Sequence, residues 1–157
     1  MIKVKVVCVG KVKEKYFSMA IDEYAKRLSR FCSFEIVEVV ESSLPDKPSN
    51  AEIAQVVLEE GKKLLAKCSG YVIACDLHHD QWSSQELSKK LQQIKLTNST
   101  VTFLIGGSYG LSQEVRQKAN AFFCFGNITL PHTLARVVLC EQIYRAFMLE
   151  NNSCYHK

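Results

Sequence analysis

The sequence predicts an α/β fold with a mostly parallel sheet flanked by helices, and three observations carry that prediction. Short apolar runs alternate along the chain with amphipathic stretches of helical period. The runs at 70–77 and 100–107 are apolar almost throughout, as strands buried on both faces are, so helices must cover the sheet on either side. At 157 residues with 47% hydrophobic content, the chain suits one core and a single domain, 1–157, without a linker.

The elements follow in order. "IKVKVVCVG" opens with Ile2, Val4 and Val6 in alternation and passes into a continuous apolar run, a strand entering a buried sheet. Phe17, Ala20, Ile21, Tyr24, Ala25 and Leu28 recur at helical spacing over 16–31. "FEIVEVVE" (34–41) reads as a second strand and "SSLPDKPSN" (42–50) as a loop. Two capping boxes, Ser49-x-x-Glu52 and Ser83-x-x-Glu86, start helices that run to about Lys67 and Leu96. "GYVIACDL" (70–77) is the strand between them, and "TVTFLIGG" (100–107) is another, followed by a helix from Ser112 to about Asn120. "AFFCFGNITL" (121–130) reads as a strand running into a turn, and 131–150 as a long helix that is apolar nearly all round.

Composition excludes several classes. No apolar stretch approaches the roughly 20 residues that span a bilayer, and "MIKVKVVCVG" is no signal peptide, so no membrane is expected and the location is cytoplasmic. Seven cysteines without a C-x-x-C pair lie mostly in apolar runs, as reduced, buried thiols do. No metal is expected, since neighbouring His78 and His79 in an extended segment point to opposite faces and cannot easily chelate one ion. The net charge is +4, yet residues 1–30 hold eight Lys and Arg against three Asp and Glu. That basic first segment is compatible with phosphate backbones and equally with a solvated helix face.

In parallel sheets ligands bind beyond the carboxyl ends of strands, which selects 75–80, 106–110 and 125–130. Gly106-Gly107-Ser108-Tyr109-Gly110 has neither the dinucleotide G-x-G-x-x-G spacing nor the Gly-Lys-Ser/Thr of a P-loop, and reads as a tight turn or a ligand cradle. Asp76 is a polar residue at a strand end. Pro131-His132 stands where the last helix begins, its histidine a cap, a core group or a catalytic base. Glu141 and Arg145 are spaced to neutralise each other, and an apolar helix this long in a small chain points to a homodimer interface. The chain ends on Tyr155, His156 and Lys157, which by position alone would be a frayed tail.

"FLIGGSYGL" (103–111), "ITLPHTLARVVLCEQIYRAF" (128–147) and the final "YHK", with "VGKVKEKYF", "EYAKRL" and "EEGKKLLAK" before them, together resemble the RlmH family of SPOUT-class RNA methyltransferases over the full length. The resemblance implies a SPOUT-type fold with a C-terminal deep trefoil knot in approximately 70–157, an exception to the rule against threaded chains. It implies a homodimer that binds S-adenosylmethionine and methylates N3 of a pseudouridine in a 23S rRNA hairpin loop, on the assembled ribosome. The cofactor residues it implies are Cys75, Gly106, Phe125, Gly126, Asn127, Ile128, Thr129 and Leu130. Cys75 departs from the leucine usual there, and His79-Asp80 replaces a common Gly-Lys pair.

Pseudouridine N3 must lose a proton to act as nucleophile, so a base working near neutral pH is expected, and His156 and His132 are the candidates. Tyr155 is expected to stack on a splayed base, with Lys157 or Arg136 holding phosphate or the developing anion. Two other readings remain at this point: a ribosome-binding module that keeps the fold without catalysis, and a nucleotide-dependent oxidoreductase built on the glycine loop.

Overall fold

Valine-rich alternation makes β1 (Lys3–Val9) a buried interior strand of the sheet. The computed structural model describes residues 1–77, 79, 81–152, 154 and 155. After β1 come α1 (Lys15–Leu28), β2 (Ser33–Val39), α2 (Asn50–Leu65), β3 (Tyr71–Cys75) and α3 (Ser84–Thr97). Then follow β4 (Thr100–Ile105), α4 (Gln113–Lys118), β5 (Ala121–Phe123) and α5 (His132–Glu150). The five strands form one sheet in the order β2-β1-β4-β3-β5, and every pairing is parallel. Val6 lies opposite Ile36 on one side and Phe103 on the other.

The period of two along each strand divides the core into two layers. Val4, Val6, Cys8, Ile73 and Phe103 face Leu28, Leu87, Leu139, Ile143 and Phe147 of α1, α3 and α5. Val7, Val9, Ala74 and Leu104 face Leu64 of α2 and Val115 of α4. The helices are started by their caps. Ser83 and Glu86 complete a reciprocal box, Ser83 N donating to Glu86 Oε2 at 2.6 Å and Glu86 N to Ser83 Oγ at 3.2 Å. At α2 only half of the box forms: Glu52 N reaches Ser49 Oγ, while the Glu52 carboxylate accepts the Ser49 hydroxyl at 3.0 Å.

The 121–130 run yields a shorter strand than its apolar length suggests. β5 is an edge strand that pairs only with β3, and after Cys124 the chain leaves the sheet to build a wall of the cavity described below. α5 packs between α1 and α3, with Ser88 Oγ donating to Ala146 O at 2.7 Å and an ion pair between Lys95 and Glu150. Among the described residues no helix is long and apolar enough to cross a membrane.

Candidate active site

The carboxyl ends of β3 and β4 and the loop after β5 enclose a cavity of about 600 Å³. β4 supplies its floor. The chain leaves that strand at Gly106-Gly107 and turns at once, with Gly110 N donating to Gly107 O at 3.1 Å. A Cβ on Gly106 would stand 2.8 Å from Gly110 O, so the turn closes only around glycine. The glycine cluster is thus both a tight turn and a wall: Gly106, Gly107 and Gly110 all line the cavity, beside Ile105 and Leu111.

The end of β3 supplies Cys75 and Asp76. The Cys75 thiol is pushed well up by burial and then by Cys8, Asp76 and Cys124 nearby, so it stays protonated and is no nucleophile in the presence of an electrophile. Asp76 is fixed from outside: Arg116 Nε of α4 donates to its Oδ2 at 2.8 Å, and His79 Nε2 lies 3.4 Å from the same oxygen with its ring stacked on Phe122. Burial pushes the Asp76 carboxyl up, but the Arg116 hydrogen bond and charge, aided by His79, outweigh it and hold the group below the ordinary carboxylate range. Among the described residues lining the cavity, Asp76 is the one carboxylate.

The loop after β5 supplies the last wall, with Phe125, Ile128, Thr129 and Leu130 on the cavity. Gly126 and Asn127, expected beside them, are placed differently. Gly126 lines a neighbouring hollow with Trp82, and Asn127 Oδ1 accepts from Gln81 Nε2 at 3.1 Å. The remaining expected cofactor residues, Cys75 and Gly106, are on the wall.

His132, the first residue of α5, also lines the cavity. Arg136, one turn further on, does not. It is wholly buried, with Nη1 donating to Glu38 Oε1 at 2.8 Å and Nη2 to Val9 O and Gly10 O at 3.1 and 3.0 Å. The guanidinium is thus enclosed within this chain, its two Nη atoms engaged and its Nε without a partner among the described residues. Tyr155 folds back on α5: its carbonyl accepts from Arg145 Nη1 at 3.4 Å, the Arg145 guanidinium lies 4.9 Å from its ring centre, and its ring meets Tyr144 edge-on. Arg145 is also paired with Glu141 at 2.6 Å, as their spacing indicates. The expected base His156, with Lys157, lies outside the described residues, as do His78 and Asp80.

The Arg116–Asp76 and Arg136–Glu38 pairs escaped sequence reasoning. Their members are 40 and 98 residues apart, and no local spacing joins them.

A parallel sheet with an apolar, glycine-walled cavity at its carboxyl ends defines an α/β protein built to hold a nucleotide-type cofactor. The chain matches the family described as "Predicted SPOUT methyltransferase" over residues 2–156. It is 48% identical over 158 residues to the Ribosomal RNA large subunit methyltransferase H of Streptococcus uberis, covering 99% of both chains, and 47% identical over 160 residues to that of Oenococcus oeni, covering 100% of both. Its fold is similar to that of a solved structure described as "a probable methylase family protein from Haemophilus influenzae Rd KW20", with a TM-score of 0.52 at 14% identity over 99% of this chain and 70% of that one. The chain belongs to the SPOUT methyltransferases and, within them, to the RlmH family. It is a methyltransferase whose methyl donor is S-adenosylmethionine.

The cavity suits that donor. Its volume is within the range of small-ligand sites, and its apolar side chains can sandwich a purine.

Proposed function

We propose that this protein methylates N3 of a pseudouridine in a 23S rRNA hairpin loop, on the assembled ribosome, as a cytoplasmic homodimer. The observation that carries the proposal is the full-length identity of 48% to a relative named for methylation of large-subunit ribosomal RNA. The glycine-walled cavity beside His132 supplies the chemistry that such a reaction needs.

Bound in the cavity, S-adenosylmethionine supplies a methyl carbon open to in-line displacement. The chain's part is to align the acceptor and to take its proton. In this reading His156 accepts the N3 proton as the nitrogen forms its bond to carbon, with His132 on the cavity wall as the second candidate. Tyr155 stacks on the splayed base and Lys157 meets the developing anion. The half-buried Cys75 thiol, its pKa raised by its surroundings, is held protonated and does not compete for the methyl group.

The tail fits a shared site better than one made by a single chain. Tyr155 is clasped at Arg145, thirteen residues along α5 from His132, which is about 20 Å of helix at 1.5 Å per residue. A homodimer brings one protomer's tail to its partner's cavity. Leu134, Val137, Val138, Tyr144 and Met148 form a half-buried stripe on α5 that suits such an interface. The proposal also carries a single domain with a deep trefoil knot in about 70–157, for which the return of β5 to the far side of β3 gives support.

The test is methyl incorporation into ribosomes from cells lacking the modification, followed by mapping of the modified base. One methyl group at pseudouridine N3 is the expected result. Cofactor binding without any transfer would instead establish a non-catalytic ribosome-binding module. A thermal shift with NAD and none with S-adenosylmethionine would return the oxidoreductase reading.

A further inference from the structure

The charge excess of the first thirty residues has one outlet beside the cavity. The chain leaves β1 at Gly10, whose φ of +82° turns it out of the sheet, and runs without regular structure through residues 11–14 into α1. Its root touches the active site: a Cβ built on Gly10 would lie 3.7 Å from His132 Nε2.

This arm is anchored from below by the buried pair that the methyl-transfer chemistry leaves unused. Arg136 Nη2 donates to Val9 O and Gly10 O, and Nη1 to Glu38 Oε1; the same carboxylate oxygen accepts from Val12 N at 3.2 Å. Breaking such an enclosed pair is costly, so the arm has a rigid root.

What the arm presents is cationic and aromatic. Val12 and Glu14 are half-buried, while Lys11, Lys13 and, at the start of α1, Lys15 are exposed. None of the three forms an ion pair among the described residues. Of the acids nearby, Glu38 is paired with Arg136, Glu41 sits at the root beside Gly10, and Glu14 is half-buried with its Oε2 turned in, so the arm keeps a net positive charge of three lysines against one glutamate. Tyr16 follows, 67% exposed, with Met19 a turn later at 62%.

We propose that this arm, Lys11 to Tyr16, is the surface on which the rRNA strand lies as its target base enters the cavity. The lysines meet successive phosphates, and Tyr16 offers a ring for an unstacked base. The inference rests on the RNA-methylation reading and adds where the substrate is held. A protein partner suits the arm less well, since three adjacent ammonium groups would repel one another and lose their hydration in a dry interface, where lysine is depleted.

The experiment measures binding of the full chain to ribosomes over a salt series, with S-adenosylmethionine affinity and oligomeric mass measured on the same samples. The variants are the triple change Lys11→Ala, Lys13→Ala, Lys15→Ala, the matching triple change to Arg, and Tyr16→Ala. For the triple alanine variant, ribosome affinity should fall about tenfold or more at moderate salt, and the log–log salt slope should become shallower by about 2, three phosphate contacts at roughly 0.7 each. The arginine variant should retain binding, Tyr16→Ala should weaken it with the slope unchanged, and cofactor affinity should stay within about twofold throughout. An unchanged slope and affinity in the triple alanine variant overturns the arm. So does a change in oligomeric mass, which would assign the surface to a protein contact. Failure of the wild-type chain to transfer methyl groups counts against the function reading alone, because ribosome binding is read separately.

Discussion

At Asp76, the residue just past β3 meets Arg116 of α4 across 40 positions of sequence, and the pair is pH-dependent. The Asp76 carboxyl is held below its ordinary value of 3.8, so what the pair adds to stability is present above that value and is lost as pH falls through the lower folded one. Arg116→Ala should therefore cost on the order of 1 kcal/mol in urea unfolding between pH 5 and 7, and the difference from wild type should vanish toward pH 2. A difference that persists undiminished in strong acid would show that Arg116 acts by packing alone. At this scale the sequence is legible where the signal is local. Cys75, Gly106 and Phe125 are found by asking where buried strands end, whereas Arg116 lies on an amphipathic helix with nothing to mark which of its charges turns inward. Gly126 and Asn127 show the other limit: adjacent residues in a loop do not share a direction, so a run of six carried over whole includes two that line other surfaces or pair elsewhere.

At the scale of elements, the helix starts are the best-read features, because a cap is a contact across three residues. α2 begins at Asn50 and α3 at Ser84, each one residue past the serine that marks it. The two caps differ in strength. Ser83→Ala and Ser49→Ala each remove one bond from a backbone N–H and should each cost about 1 kcal/mol, whereas Glu86→Ala, which strips the bond from Ser83 N, should cost more than Glu52→Ala, which strips none from the backbone. Parallel denaturant titrations check the order, and equal losses from the two glutamate variants would mean that reciprocity contributes nothing here. β5 is the element the sequence overstates. Phe125, Ile128 and Leu130 are apolar because they face a cavity, and periodicity cannot distinguish that from facing a core.

For the whole molecule, alternation of strands and helices reveals the class of fold but not the order β2-β1-β4-β3-β5, which depends on contacts between distant segments. The tail is where local and global readings part most. Deleting Tyr155 to Lys157 removes a ring set edge-on to Tyr144 and against the Arg145 guanidinium, and Tyr155 belongs to neither core layer. The truncated chain should fold, dimerise and bind S-adenosylmethionine with affinity within about twofold of the full chain, while methyl transfer to ribosomes is abolished; normal transfer would make the tail dispensable. The glycine wall has a last consequence, for chemical selectivity. An inhibitor shaped to the cavity meets at Gly106, Gly107 and Gly110 only main chain, a surface that mutation cannot easily vary and that therefore offers resistance few routes of escape. By the same token it offers no handhold for telling this enzyme from its relatives. Discrimination has to come from the far side of the cavity, where Cys75 and the externally braced carboxylate of Asp76 present side chains instead of main chain.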